Sequence, residues 1–227
     1  MTYNFDEIID RRNTNSENVE GWRPYIFHCG PERVFPYKDE EFIRMWVADM
    51  EFAVAPEILQ AITDRVDRRI LGYTLVYDKG YYEALRAWCE SRYGWSFPKE
   101  QLTFSPGVIP ALYQLTEDLV KPLNGKVLTM TPAYGFFLHA CEYNGVELVT
   151  SPLREEGGRF SVDWEDFETK AADPDVKLLI LCNPHNPTGR IWTEEELRHM
   201  AAIIEKHRLW VVSDAVSYTH LRAHETL

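Results

Sequence analysis

Three short segments carry side chains whose types and spacing could do chemistry. The first is Asn183-Pro184-His185-Asn186-Pro187-Thr188-Gly189, directly after the apolar run Val176–Cys182. Proline fixes its own φ and biases the preceding residue to extended backbone, so two Asn-Pro pairs in close succession make a rigid, extended turn. Such a turn can hold the Asn186 amide at a fixed point. A single Asn-Pro pair reads as a plain turn; the whole string after a buried strand reads as a site. The second segment is Ser213-Asp214, which ends the run 209–214. An aspartate at a strand's mouth serves as a helix cap or as a functional anion, and the residue alone does not separate the two. A buried carboxylate needs a cationic or hydrogen-bonding partner to remain ionised. The third is Ser105-Pro106-Gly107-Val108-Ile109, at the start of an apolar stretch with helical spacing. Free backbone N–H groups and the helix dipole make such an end an anion site, although by itself a helix start is a weak signal.

The elements that must position these segments follow a regular order. Ile58, Ile62, Val66 and Ile70 recur at helical spacing over 55–70, and Tyr81, Leu85, Trp88 and Tyr93 do so over 80–93. Pro106-Gly107 opens a third apolar helix running to Val120, with Pro110 in its first turn. From there strand and helix alternate: a strand over 126–130, a helix over Gly135–Asn144, a strand over 146–151, a turn at Gly157-Gly158 and a helix near 163–172. Val176–Cys182 is an apolar run apart from Lys177, the mark of a strand covered on both faces. Thr193 and Glu196 form a capping box for a helix whose inner stripe is expected to be Leu197, Met200, Ala201 and Ile204. The run 209–214 is the next buried strand. This alternation predicts an α/β fold, a mostly parallel sheet with helices on both faces. Ligands of such sheets bind at the carboxyl ends of the strands, where the three segments are expected to lie. Residues 1–45 show no sustained period and read as an arm.

Composition narrows the function classes. Of 227 residues 45% are hydrophobic and 13% aromatic, enough for a packed core and unlike a disordered chain. The net charge of -12 argues against nucleic acid as a partner. No apolar run approaches the roughly 18 residues of a membrane span, and the charged N-terminus lacks a signal core, so the expected location is the cytoplasm. Cys29, Cys89, Cys141 and Cys182 are far apart and form no CxxC pair. They read as small buried or half-buried thiols, with no metal site expected.

Taken together, the 183–189 string, Ser105–Leu112, Thr131-Pro132-Ala133-Tyr134 and Trp46-Val47-Ala48-Asp49-Met50-Glu51-Phe52 resemble the fold-type I pyridoxal-phosphate (PLP) enzymes of the class I/II aminotransferase superfamily. Phe5-Asp6, Ile9-Asp10-Arg11-Arg12, the 46–52 segment and Gly72-Tyr73-Thr74 are similar to the N-terminal pattern of the MalY/PatB-type cystathionine β-lyases. The resemblance covers about residues 3–214. It implies PLP as cofactor. Asn186 would bond the phenolic oxygen and Asp214 the pyridinium nitrogen. Tyr134 would stack on the ring, and the backbone of Val108 and Ile109 would hold the phosphate. Tyr73 would reach the cofactor of a neighbouring subunit, which implies a homodimer, and Val47, Ala48 and Asp49 would lie along an amino-acid substrate. Without the resemblance, Trp46, Tyr73 and Tyr134 would read as core aromatics.

The sequence also departs from that pattern. Where the family continues Glu-Ile-His after the aspartate, this chain has Ala215-Val216-Ser217, and the last lysine is Lys206. The resemblance implies a cofactor-anchoring lysine further on, then a small C-terminal domain. The expected organisation is therefore an arm (1–45), a partial PLP-binding large domain (46–214) and a tail (215–227) unlike native protein. His220 and His224 lie four apart, as metal ligands on a helix do, but belong to that tail and are given no role. The expected parent is a carbon–sulfur β-lyase releasing pyruvate, ammonia and a thiol by α,β-elimination, the present chain being inactive. An aminotransferase and a non-catalytic regulatory protein on the same fold are the alternatives.

Overall fold

Strand and helix alternate along the second part of the chain as the sequence predicts. The structure, a computed structural model, describes residues 3–76 and 78–215. The expectations for the tail from 216 onward, His220 and His224 among them, lie outside the described residues. The chain divides into two compact units between Thr74 and Leu75.

The first unit contains two short helices within the stretch expected to be irregular, α1 (Glu17–Glu20) and α2 (Trp22–Ile26), and the longer α3 (Pro56–Asp67). Trp22 is buried and gathers Phe27, Phe35 and Phe42 around it, with ring centroids 5.0–5.8 Å away. The Arg23 guanidinium lies 4.6 Å from the Trp22 ring, in cation–π range. α3 has the expected helical period, and Pro56 starts it where a missing N–H costs nothing. None of its residues is buried, however, and Ile58, Ile62 and Val66 are exposed.

The second unit opens with α4 (Lys79–Tyr93), capped by the Asp78 side chain at one end and by left-handed Gly94 at the other. Then come α5 (Val108–Leu115), β1 (Lys126–Thr131), α6 (Gly135–Asn144), β2 (Glu147–Pro152), β3 (Arg154–Glu156), β4 (Arg159–Ser161), α7 (Trp164–Ala171), β5 (Val176–Cys182), α8 (Glu194–His207) and β6 (Trp210–Asp214). β3 and β4 form an antiparallel hairpin around Gly157-Gly158, which both have positive φ. The expected third helix changes character at Thr116: residues 116–120 wind as a π turn, and the Thr116 hydroxyl donates to the Leu112 carbonyl at 2.8 Å.

The sheet has the order β2-β1-β5-β6, parallel throughout. Its two faces bury separate cores, because neighbouring residues on a strand point to opposite sides. From β5, Leu178, Ile180 and Cys182 join Val127 of β1 in a core with Leu112 of α5 and Phe137, Ala140 and Cys141 of α6. Val176, Leu179 and Leu181 join Leu128 and Met130 in the other, with Phe167 and Ala171 of α7 and Met200 and Ile203 of α8. From Leu178 to Cys182 the apolar run of β5 is thus two interleaved half-faces, while Val176, beside a shift of register, joins the core of Leu179 and Leu181. On α8 the stripe differs from expectation at one place: Ile203 is buried and Ala201 exposed. The face that meets the sheet runs through Leu197, Met200, Ile203 and Ile204, and Ala201 sits on the flank toward β6. Among the described residues β6 is an edge strand, and Trp210 and Val211 are exposed on it.

Candidate functional site

β1, β5 and β6 are neighbours, so their carboxyl ends form a row. Each end leads into one of the segments singled out in the sequence. β1 ends at Thr131, and three residues later Tyr134 precedes the first turn of α6. The Tyr134 ring is half-buried, 5.2 Å from Phe136 and 5.9 Å edge-on to Phe137. β6 ends at Asp214, which lies opposite Cys182 in the parallel register. The Asn183 N–H donates to the Asp214 carbonyl at 3.0 Å and carries the ladder one step past the end of β5.

The turn after β5 is braced from within. Both of its Asn-Pro bonds are cis. The His185 N–H donates to the Arg190 carbonyl and the Gly189 N–H to the His185 carbonyl, each at 2.7 Å. Gly189 has φ +70°, where a side chain would be strained. The His185 ring is buried, its Nδ1 lies 2.8 Å from the Thr188 hydroxyl, and its edge packs on Trp192 at 5.2 Å. Burial, helped by the nearby Arg190 charge, pulls this imidazole down to about 4, so it is neutral at neutral pH. The fully buried Trp192 closes the bracing. Its indole N–H donates to the Cys182 carbonyl at 2.8 Å and its backbone N–H to Asn183 Oδ1 at 3.3 Å. Asn186 and Pro187 are left exposed at the crest of the turn.

The third segment faces the second. A cleft of about 330 Å³ is lined by Val108, Ala111, Leu112 and Leu115 of α5 and by Val212, Ser213, Asp214 and Ala215 at the end of β6. Val108 and Ile109 are the first two residues of α5, Pro110 has no N–H, and the Ala111 N–H already donates to the Gly107 carbonyl at 3.2 Å. The N–H groups of Val108 and Ile109 are therefore the two that the helix itself leaves over. Ser105 donates its hydroxyl to the Gly107 carbonyl at 2.8 Å and fixes the entry to the helix.

The donor set of this unit is specific in kind. It offers two helix-end N–H groups for an anion, an outward carboxamide, a carboxylate in an apolar-walled cleft and a half-exposed tyrosine ring. That combination fits a flat, phosphorylated heterocycle with a basic ring nitrogen. In the other unit, Val47 is half-buried while Ala48 and Asp49 are exposed. Both Asp49 oxygens are engaged, by Arg11 and by Asn18, and the Arg11 bond is the main cause of a carboxyl held below its ordinary range. Arg11 also donates to the Ser16 hydroxyl at 2.8 Å, so the 46–52 segment is tied back to residues 11–18. Trp46 packs on Tyr25 at 5.1 Å. Tyr73 is fully exposed, which removes its core-aromatic reading. Of the cysteines, Cys89, Cys141 and Cys182 are buried and Cys29 half-buried, all as free thiols. No group of three or more His, Cys, Asp or Glu among the described residues is placed to hold a metal ion.

Residues 40–221 match the protein family described as aminotransferase class I and II. The chain belongs to that family. It is 41% identical to cystathionine β-lyase PatB of Bacillus subtilis over 172 residues, 76% of this chain and 44% of that protein. It is 27% identical to protein MalY of Escherichia coli over 214 residues, 94% of this chain and 52% of that protein. Among solved structures it is similar to the PLP-bound C-S lyase of Staphylococcus hominis, with a TM-score of 0.81 and 43% identity. That match covers 94% of this chain and 51% of the other. The chain thus spans about half the length of the family relatives it matches. The mixed α/β fold with a parallel sheet flanked by helices is the fold of these neighbours. Two supports of the site do not read as such from the sequence: Trp192, and Cys182, which reads only as a small thiol. Cys182 directly precedes the Asn-Pro string, but its parity with Leu178 and Ile180 marks it only as a core residue.

Proposed function

We propose that the second unit cradles pyridoxal 5′-phosphate and that the protein is a carbon–sulfur β-lyase, acting on cystathionine or a related cysteine S-conjugate. The observation that carries this reading is the cleft shared by the first turn of α5 and Asp214, with Asn186 in the turn that follows the neighbouring strand. When bound, PLP supplies an electron sink for charge developing at the substrate's α-carbon. The N–H groups of Val108 and Ile109 bind its phosphate. Asn186 donates to its phenolic oxygen. Asp214 keeps its ring nitrogen protonated, because a carboxylate within contact distance favours the charged form of its partner. Tyr134 covers one ring face. The 46–52 segment, with Val47, Ala48 and Asp49, lies along the amino-acid substrate, and fully exposed Tyr73 reaches the site of a second copy in a homodimer.

The same proposal holds the division into an arm (1–45), a partial large domain (46–214) and a tail (215–227), and a cytoplasmic location. In this proposal a lysine would anchor the cofactor and take the α-proton; none follows Asp214 in this sequence. No helix among the described residues is long and apolar enough to cross a membrane.

Pyridoxamine 5′-phosphate is the probe for the cradle, since it needs no lysine. Its binding to this chain should weaken roughly ten-fold or more in Asp214→Ala and about five-fold in Asn186→Ala, the usual cost of one charged and one neutral hydrogen bond. Equal affinity in both variants sinks the cradle. For the reaction, a lyase releases pyruvate from cystathionine with no keto acid added; strict dependence on a keto acid would mean an aminotransferase.

A further inference from the structure

Cys182 stands between Asn186 and Asp214, two of the side chains proposed to touch the cofactor ring. Its thiol is bonded on both sides. The Asn186 N–H donates to Sγ at 3.4 Å, and the S–H donates to the Pro184 carbonyl at 3.2 Å. Its own carbonyl accepts from the Trp192 indole at 2.8 Å. On the next strand it faces Asp214 in register. The residue is 6% exposed and packs in the core between the sheet and helices α5 and α6.

We propose that Cys182 is a positioning residue that sets the Asn186 carboxamide against Asp214 by tying the backbone of the 184–186 turn to the end of β5. The inference rests on the cradle reading above. A thiol suits the task because it must give one hydrogen bond and accept another at the same time. A thiolate could not donate to Pro184. Burial, reinforced by the Asp214 charge, pushes this thiol up to about 11, so it remains protonated and bifunctional over the physiological range. His185 and Trp192 brace the far side of the turn, and Cys182 is the brace that reaches Asn186 itself.

A filler of the core and a positioning residue respond differently to substitution. Cys182→Ser keeps a donor and an acceptor. Cys182→Val fills the site with a somewhat larger apolar group and loses both. Cys182→Ala loses both and leaves a small gap. Pyridoxamine 5′-phosphate affinity of the purified chain is measured for these three, for Asn186→Ala and for Cys182→Val with Asn186→Ala. The expectation is a loss of about five- to ten-fold in the Val and Ala variants and less than about two-fold in Ser. In the double variant the Asn186→Ala loss should shrink toward nothing, since the carboxamide is already misplaced. Amide exchange at Asn186 should also quicken in the Val variant and not in Ser.

Val and Ser binding alike, or losses that simply multiply in the double variant, would overturn the positioning role and leave the cradle standing. A wild-type chain that fails to bind the probe would overturn both. If the Ala variant does not fold, the Val and Ser pair still decides the matter.

Discussion

His185 makes stability depend on pH within a window that few other groups share. Its ring is 3% exposed, and burial with the Arg190 charge lowers its pKa from 6.5 to about 4. In the unfolded chain the imidazole returns to its ordinary value. Between the two values the unfolded state carries a proton that the folded state refuses, so folding weakens as pH falls from about 6.5 toward 4. Each unit of separation is worth about 1.4 kcal/mol, which gives a loss of about 2 kcal/mol between pH 7 and pH 5. The carboxylates held below their ordinary range, Asp49, Asp163, Asp173 and Glu168, lose their contributions at lower pH still, as they protonate. Urea denaturation followed by tryptophan fluorescence at several values across that window reads the slope. The His185→Gln variant should be less stable overall and lose most of the slope. A wild-type chain equally stable at both ends, or an unchanged slope in the variant, would refute the account.

Three other outcomes are expected. Phe167→Ala removes a fully buried ring from the core under α7 and should cost about 3–5 kcal/mol by the same denaturation. Replacing Trp210 by lysine on the open edge of β6 should raise the monodisperse fraction in gel filtration, because an apolar edge strand invites pairing between chains; an unchanged fraction would acquit that edge. At mildly alkaline pH, half-buried Cys29 should react with a disulfide reagent well before Cys141 and Cys182, whose thiols burial pushes up to about 12 and 11. Simultaneous labelling of all three would show that the core opens.

Much of the second unit was legible because its strands and helices state their periods locally. Val176–Cys182 reads as a two-faced strand, and from Leu178 to Cys182 the structure divides its residues between two cores in alternation. Two of the chemical segments were legible for a different reason: proline fixes its own φ and biases its predecessor, and glycine admits backbone that other residues avoid, so the turn and the helix start announced themselves. What the period does not carry is the identity of the partner. The stripe of α3 is correctly helical and covers nothing buried, and Ala201 falls outside the buried face although its spacing admits it. The β3–β4 hairpin escaped notice because its strands are three residues each, too short for alternation to register. Cys182 escaped because a buried thiol in an apolar run resembles any small core residue until its neighbours in space are known.

The parallel register of β5 and β6 makes the Asp214 carboxylate a matter of parity. Asp214 shares its side of the sheet with Val212, and Val212 packs on the same core as Cys182 and Leu112. One residue inserted within β6 would send the carboxylate through to the α8 side and bring serine or alanine to the cleft in its place, with the composition of the strand almost unchanged. Two inserted residues would restore the side and merely lengthen the strand. Substitutions along β6 are thus graded by size and polarity, whereas insertions are judged odd or even.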